Sequence, residues 1–306
     1  MIIFIVNPAA GHGRGKRIYT KIKKSTIYQE VQSKVYFTEY PNHAEELATE
    51  ISKQNLENLI AVVVIGGDGT LHEVMNGIDP LINVAFIPGG SGNDFARGSK
   101  IKGNPIEILR RVIEEHSTDY WLGKYSIEGD KPRQFVNSIG FGFDAAIADQ
   151  ANRAVYKKLL NKLHIGTVSY VFALIQVLFH FKPFHAELVL DGKKYIIDDC
   201  WMVTITNHAY YGGGMKIIPT AKIQPNNFSV LIVDKISKWK ILGLFLTVFS
   251  GKHVSFKEVN VYQAKDIMFR AQRDVSYQVD GQTFKGKQGY VTKHQENVRI
   301  LGTINK

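Results

Sequence analysis

An unbroken apolar run, Ile60-Ala61-Val62-Val63-Val64-Ile65, passes without a spacer into Gly66-Gly67-Asp68-Gly69-Thr70-Leu71-His72. A continuous apolar stretch without alternation describes a strand buried on both faces, as in a parallel sheet covered by helices. The spacing of Thr70 and Glu73 predicts a capping box just after it, with Thr70 as N-cap and Glu73 at the third helical position. A glycine-rich turn between a buried strand and a helix N-terminus lets phosphate approach the backbone closely. It also offers free amides and the positive end of the helix dipole. Asp68 stands inside that turn. A carboxylate there opposes simple anion binding, and makes sense where a metal ion or a proton is handled beside phosphates.

Strand candidates at Ile2–Val6, Lys34–Thr38, Ile60–Ile65 and Val84–Ile87 alternate with helix candidates at Gly15–Lys24, His43–Lys53, Leu71–Ile78 and Pro105–Glu115. The last carries its own start signal, with Asn104 as N-cap, Pro105 first in the helix and Glu107 at the third position. Such alternation implies a parallel sheet with helices on both faces, and ligands of these sheets bind beyond the carboxyl ends of the strands. Three glycine-rich segments follow strands: Asn7–Gly15, Gly66–Gly69 and Pro88–Gly92. Three loops are therefore expected to converge on one edge. From Trp121 onward short strands dominate, with turn signals at Glu128-Gly129-Asp130, Asp191-Gly192 and Asp280-Gly281. This half predicts an antiparallel sandwich, with helices inserted between Asp144 and Phe181 and near Ser237–Gly251. The expected boundary lies near Thr118–Trp121, giving domains 1–119 and 120–294.

The length of 306 residues suits two domains. The single cysteine, Cys200, leaves no internal disulfide and no cysteine-based zinc site, and suits a reducing cytoplasm. No basic segment with a cleavage site precedes the first strand, so no signal peptide is expected. The formal net charge of +10 is partly concentrated at Arg14, Lys16, Arg17, Lys21, Lys23 and Lys24, with no acid among them. A solvated helix face, nucleic acid, an anionic nucleotide or an anionic membrane surface would each account for it. No nucleic-acid module signature is present, which argues against that partner. Ile165–Phe181 and Trp239–Gly251 are strongly apolar but shorter than the roughly 20 residues a spanning helix needs. They read as core helices or as helices with an apolar face toward lipid. On the first of them Phe172, Ile175, Leu178 and Phe179 share a helical face, either core or the wall of a lipid groove.

The loop chemistry adds detail. Asn7-Pro8-Ala9-Ala10-Gly11 opens a small-residue loop that permits close backbone approach, with Arg14 or Lys16 in reach of a phosphate, and it is not a P-loop. In Pro88-Gly89-Gly90-Ser91-Gly92-Asn93-Asp94-Phe95-Ala96-Arg97, Ser91 can bond a phosphate or nucleotide oxygen. Asn93 and Asp94 could hold a base, a metal or an acceptor, and Asp94 could equally cap a short helix. Asp144 reads either as a helix N-cap or as an active-site acid.

Gly66–Gly77, with Pro88–Arg97, Asn137–Ala145, Gly212-Gly213-Gly214-Met215, Pro219-Thr220-Ala221 and Asp280-Gly281, resembles the diacylglycerol kinase catalytic domain family in order and spacing through almost the whole chain. The resemblance implies an ATP-dependent lipid kinase. Its first domain would share the nucleotide-binding fold of NAD kinases and 6-phosphofructokinases, and its second would be a β-rich lipid-binding domain. Residues 295–306 would return to the first domain. Implied nucleotide contacts are Asn7, Pro8, Ala9, Ala10, Gly11, Thr38, Gly66, Gly67, Asp68, Gly69, Thr70, Leu71, His72 and Ser91, with Asn93 and Asp94 beside them. Mg²⁺ would be held near Asp68 and Asp94. Asp68 or Asp280 would accept the proton of the lipid hydroxyl. The implied acceptor is a lipid, diacylglycerol by default, met by a cytoplasmic protein peripheral to the inner face of an anionic membrane; a homodimer is left open.

Two departures stand out. The family often has Asp-Gly-Glu near its end, where the Glu is a proposed proton acceptor; here Gln282 follows Asp280-Gly281, and a neutral amide cannot act as a base. The family's acidic segment after Pro-x-Ala, part of a structural Mg²⁺ site in some bacterial members, is Lys222-Ile223-Gln224-Pro225-Asn226-Asn227 here, without a carboxylate. These departures motivate a nucleotide- and lipid-binding protein with weak or absent catalysis as a second reading, and an NAD-kinase-like enzyme is a third.

Overall fold

The computed structural model describes residues 1–54, 56, 58–153 and 174–304. Strands β1 (Ile2–Val6), β2 (Ser33–Phe37), β3 (Ala61–Gly66), β4 (Val84–Pro88) and β5 (Ser117–Tyr120) come from the first part of the chain. Near the other end, β17 (Val298–Leu301) joins the same sheet, in the order β2-β1-β3-β4-β17-β5. All neighbours are parallel except β5, which runs antiparallel to β17. Helices α1 (Ala10–Lys23), α2 (Thr26–Gln29), α3 (His43–Ser52), α4 (Asp68–Gly77), α5 (Asp94–Gly98) and α6 (Pro105–Ile113) connect them. Every residue of β3 is buried, as its unbroken apolar run requires. The Asn104–Glu107 capping box forms as read. α1 departs from expectation at its start. Gly11, His12 and Gly13 turn left-handed, so regular helix begins only at Arg14.

The second half is antiparallel throughout. Its strands are β6 (Gly123–Ile127), β7 (Arg133–Phe135), β8 (Ser138–Gly142), β9 (Phe184–Leu190), β10 (Lys193–Thr206), β13 (Phe228–Asp234), β14 (Val259–Ala264), β15 (Asp266–Val279) and β16 (Gln282–Lys293), with a small separate pair β11 (Tyr210–Tyr211) and β12 (Met215–Lys216). The long strands β10 and β15 each pair with β9 along their first half and with β8 along their second. Register breaks between Ile197 and Cys200, and between Arg270 and Val275, bend them at the change of partner. The sheet thus folds back on itself around an aromatic core in which Phe141 stacks on Phe269 at 4.1 Å. Asp191-Gly192 and Asp280-Gly281 make two-residue turns with both residues at positive φ, the hairpin geometry that matches strand twist. Outside the sheet lie α7 (Phe143–Arg153), α8 (174–180) and α9 (Lys238–Val248), packed over Trp201, Met202, Leu231 and Val233.

Much of Ile165–Phe181, including Phe172, lies outside the described residues. Of the face predicted there, Leu178 is buried while Ile175 and Phe179 are exposed, so these residues do not share one packed face. Among the described residues no helix is long and apolar enough to cross a membrane.

β17 fills a slot between β4 and β5 that no other described strand occupies, and Ile300 is almost wholly buried in it. Ile300→Ala is expected to destabilise the chain by about 2–4 kcal/mol, read as a lowered denaturation midpoint in urea at unchanged slope.

Candidate active site

The three glycine loops meet beyond the carboxyl ends of β1, β3 and β4. Gly89 and Gly90 donate their amides to Gly66 O at 2.7 and 3.1 Å. A Cβ on Gly90 would lie 2.5 Å from Gly67 Cα, and one on Gly11, whose φ is +54°, would lie 2.2 Å from Gly89 O. Backbone therefore packs on backbone here, and side chains are excluded. Asn7 fixes the first loop. Its Oδ1 accepts the Ala9 and Ala10 amides, and its Nδ2 donates to Thr70 Oγ1 at 3.0 Å. Thr38, buried at the end of β2, donates its amide to Val6 O.

The expected capping box at Thr70 does not form. α4 begins at Asp68 with Gly67 as N-cap, because Thr70 Oγ1 is taken by Asn7 and Glu73 Oε2 accepts the Ala44 amide. Asp68 thus sits in the first helical turn and not in the loop. The amides of Asp68, Gly69 and Thr70 precede the first intrahelical bond, Leu71 N to Gly67 O. A Cβ on Gly69 would meet nothing within 4 Å. A helix N-terminus with open space over a glycine is a site for a phosphate chain.

Asp68 accepts the amides of Asp94 and Phe95, both at 3.1 Å, and so caps α5. Burial pushes its carboxyl up to about 6, with the charge of Asp94 adding to the rise and the two amides opposing it. Asp94 does not cap α5; Asn93 precedes the helix in left-handed conformation. Instead Asp94 Oδ2 accepts the Gly213 amide at 2.7 Å and Oδ1 pairs with Arg97 at 3.0 Å, and burial raises its pKa too. Gly92 faces both acids: its Cβ would lie 3.3 Å from Asp68 Oδ2 and 3.7 Å from Asp94 Oδ2. Gly212, Gly213 and Gly214, all at positive φ, bring the second domain onto this pair. Asn93 spends its side chain on Gly90, donating to its carbonyl and accepting its amide, so it locks the loop instead of facing a ligand. Ser91 is exposed at the loop tip.

Four predicted site residues lie elsewhere. Leu71 is in the core. The His72 ring is buried and its Nδ1 meets Asp280 Oδ2 at 2.8 Å; opposite a carboxylate, Nδ1 carries the proton. Asp280 also accepts the amides of Val136, Asn137 and Ser138, and its side chain is fully buried. Both its oxygens are committed to the domain contact. Gln282 lines a groove of about 800 Å³ whose walls, including Glu45, Arg133 and Tyr277, contain none of the glycine loops.

Sequence reasoning missed Asn76 and Arg133. Asn76 exchanges two hydrogen bonds with the Gln134 backbone, and Arg133 forms a two-pronged pair with Glu45 at 2.6 and 3.1 Å. It also missed His208 and Lys293, buried behind the site, whereas Asp144, read as a helix N-cap or an active-site acid, sits in the first turn of α7. His208 accepts the Tyr210 amide on Nδ1 and donates from Nε2 to Asn137 Oδ1, and burial lowers its pKa to about 4. Lys293 is buried, donates to Asn207 Oδ1, and lies 4.4 Å above the Phe228 ring. Burial brings its amine down to about 7. Asp144, fully buried, is approached by Thr204 and Tyr211, while its Oδ1 has no hydrogen-bond partner among the described residues; burial raises it to about 6.

The phosphate cradle fits a nucleotide. For Mg²⁺ the described residues offer Asp68 and Asp94 and no cluster of three or more ligating side chains. A hexacoordinate ion held by one or two carboxylates with phosphate and water oxygens needs no more.

Comparison with known proteins bears on the same residues. The diacylglycerol kinase catalytic domain profile matches residues 1–125, and the YegS C-terminal NAD kinase beta sandwich-like domain profile matches 137–295. A Bacillus subtilis (strain 168) protein named as a candidate lipid kinase, YtlR, is 34% identical over 91% of this chain and 92% of its own. The chain belongs to the diacylglycerol kinase catalytic domain family of lipid kinases. A diacylglycerol kinase of Staphylococcus aureus (strain bovine RF122 / ET3-1) is 30% identical over 91% of this chain and 84% of its own. A solved Bacillus anthracis (strain Sterne) structure, described as a diacylglycerol kinase, shares the fold at TM-score 0.69 and 19% identity, covering 98% of this chain and 96% of that one.

Two outcomes follow. Asp280→Ala strands His72 and three amides, and is expected to cost about 3 kcal/mol or more, whereas Gln282→Ala stays within about 0.5 kcal/mol, both by urea denaturation. For His208, the folded pKa of about 4 lies below the unfolded value, so the unfolded chain binds more protons between them. Its contribution is present above pH about 6.5 and is lost as pH falls toward 4. Stability measured across that window should fall, with a shallower fall in His208→Asn.

Proposed function

We propose that this protein transfers the γ-phosphoryl group of MgATP to the hydroxyl of diacylglycerol, giving phosphatidic acid. The observation that carries the reading is the open N-terminus of α4 with buried Asp68 in its first turn. The amides of Asp68, Gly69 and Thr70 hold the phosphate chain, and Asn7, Gly11 and Ser91 close around it. Bound MgATP supplies the phosphoryl group, and its cation draws charge from the phosphate oxygens. Asp68 accepts the hydroxyl proton as the lipid oxygen bonds to the γ-phosphorus and the bond to the leaving ADP oxygen breaks. A carboxylate raised to about 6 is a stronger base than an ordinary aspartate and is still ionised near neutrality. Asp280 acts at a distance, by holding α4 to the second domain. With Asp68 as base, Gln282 does not disable the chemistry. The acceptor is a membrane lipid, so the protein works as a peripheral visitor to an anionic bilayer.

Transfer of radiolabel from ATP into diacylglycerol in mixed micelles tests this. Asp68→Asn should lower kcat by about 10²- to 10⁴-fold, and undiminished transfer would remove Asp68 from its assigned role. Wild-type kcat/KM should fall about tenfold per pH unit below about 6 and level off above it. ATP binding without turnover, unrescued by Gln282→Glu, would favour a binding protein.

A further inference from the structure

α9 is apolar on both sides. Ile241, Leu244 and Val248 are buried against the sheet. Trp239, Leu242, Leu246 and Phe249 recur at the spacing of a single helical face. That face points outward: Trp239 is 76% exposed, Leu246 78% and Phe249 47%. α8 lies alongside, joined where Lys238 Nζ donates to Phe179 O at 2.8 Å, and adds exposed Ile175 and Phe179. Scattered exposed apolar residues are ordinary, but a grouped patch on two adjacent helices marks a contact surface.

Within the segment that carries α9 the charges are of one sign. Between Asp234 and Glu258 the chain contains Lys235, Lys238, Lys240, Lys252 and Lys257 and no acid. Lys240 pairs with Glu258 at 2.6 Å, while Lys235, Lys252 and Lys257 are exposed. Large apolar side chains bordered by lysines, with a tryptophan at the edge, match the chemistry of an anionic bilayer surface. The patch is also tied to the site. His253, just after α9, bonds Ile217 O at 2.8 Å, and Gly251 abuts Pro219. From Ile217 the chain leads back through Met215 to Gly213, whose amide meets Asp94.

We propose that the outer face of α9, with Phe179 beside it, is the surface by which this protein docks on an anionic phospholipid bilayer, Leu246 and Trp239 entering the interface and the lysines meeting the headgroups. The proposal rests on the reading that the acceptor is a membrane lipid.

Co-sedimentation with vesicles of phosphatidylcholine, with and without phosphatidylglycerol, tests it. Wild type should bind the mixed vesicles more tightly, and Leu246→Ser should weaken that binding by about tenfold or more. Lys252→Gln should weaken it by about fivefold, at low salt only. Both substitutions are on the surface, so thermal unfolding should be unmoved. Turnover of a short-chain, monomerically dispersed diacylglycerol should be unchanged in both variants, while turnover of vesicle-embedded diacylglycerol falls. Vesicle binding that depends on Leu246 in a protein without kinase turnover would retain the docking face and remove the kinase reading. Wild-type turnover of the short-chain lipid, with vesicle binding indifferent to Leu246, would overturn the docking face. So would a dimer that Leu246→Ser dissociates while vesicle binding persists.

Discussion

The contact between α4 and the second domain is the constraint on which the site depends. α4 is a short rigid helix whose first residues carry the free amides of the proposed phosphate cradle and whose later residues, His72 and Asn76, grip Asp280 and Gln134. A helix does not bend over two turns, so the position of the cradle relative to the second domain is set by those grips. Burying the Asp280 carboxylate would be costly alone. Three amides and the His72 ring satisfy it, which makes it a tie that fails if any partner is displaced. The Arg133–Glu45 fork reinforces the same junction from α3, at a half-exposed position where it adds geometry more than energy.

A second junction lies across the site. Asp68 caps α5, α5 carries Asp94, and Asp94 receives the amide of Gly213. Gly98 lies against His208, where a Cβ would fall 2.4 Å from the ring. Both acids are buried where α4, α5 and, at Asp94, the second domain meet, and burial is what raises both. Proton affinity at Asp68 is therefore set by its burial and by Asp94 beside it, against the two α5 amides. The buried amine of Lys293 belongs to the same economy of few charges. Burial disfavours its proton, while Asn207 and the Phe228 face favour it.

The sequence reading was strongest where one physical rule dominates. The Ile60–Ile65 run reads as a two-sided buried strand and is one from Ala61 on, and Asp191-Gly192 and Asp280-Gly281 form the hairpin turns expected of them. It was weakest where a side chain had two partners to choose from. Thr70 fits a capping box locally, but Asn7, distant in sequence, takes the hydroxyl. His72 looks like a phosphate ligand by its place in a glycine-rich motif, yet the helical period turns it a little over one turn away, toward Asp280. Asn93 looks like a ligand and instead holds its own loop. Asn76 sat inside the quoted motif without a role, and only the approach of β7 gives it one. Long-range partners of this kind leave no local pattern.

Gln282 shows how the same logic bears on chemistry. From the sequence, loss of a carboxylate beside Asp280-Gly281 reads as loss of a base. In the structure the turn places Asp280 inward, on three amides and His72, and the next residue opens β16 into a groove shared with Glu45 and Arg133. In this arrangement the carboxylate nearest the α4 amides is Asp68, and its surroundings have already raised its basicity. Gln282 shares that groove with charges of both signs, Glu45, Glu46 and Glu50 with Lys53, Lys131 and Arg133, and not with the glycine loops. Gln282 therefore lies apart from the α4 amides, and the proposed proton acceptor, Asp68, keeps its surroundings whichever residue stands at 282.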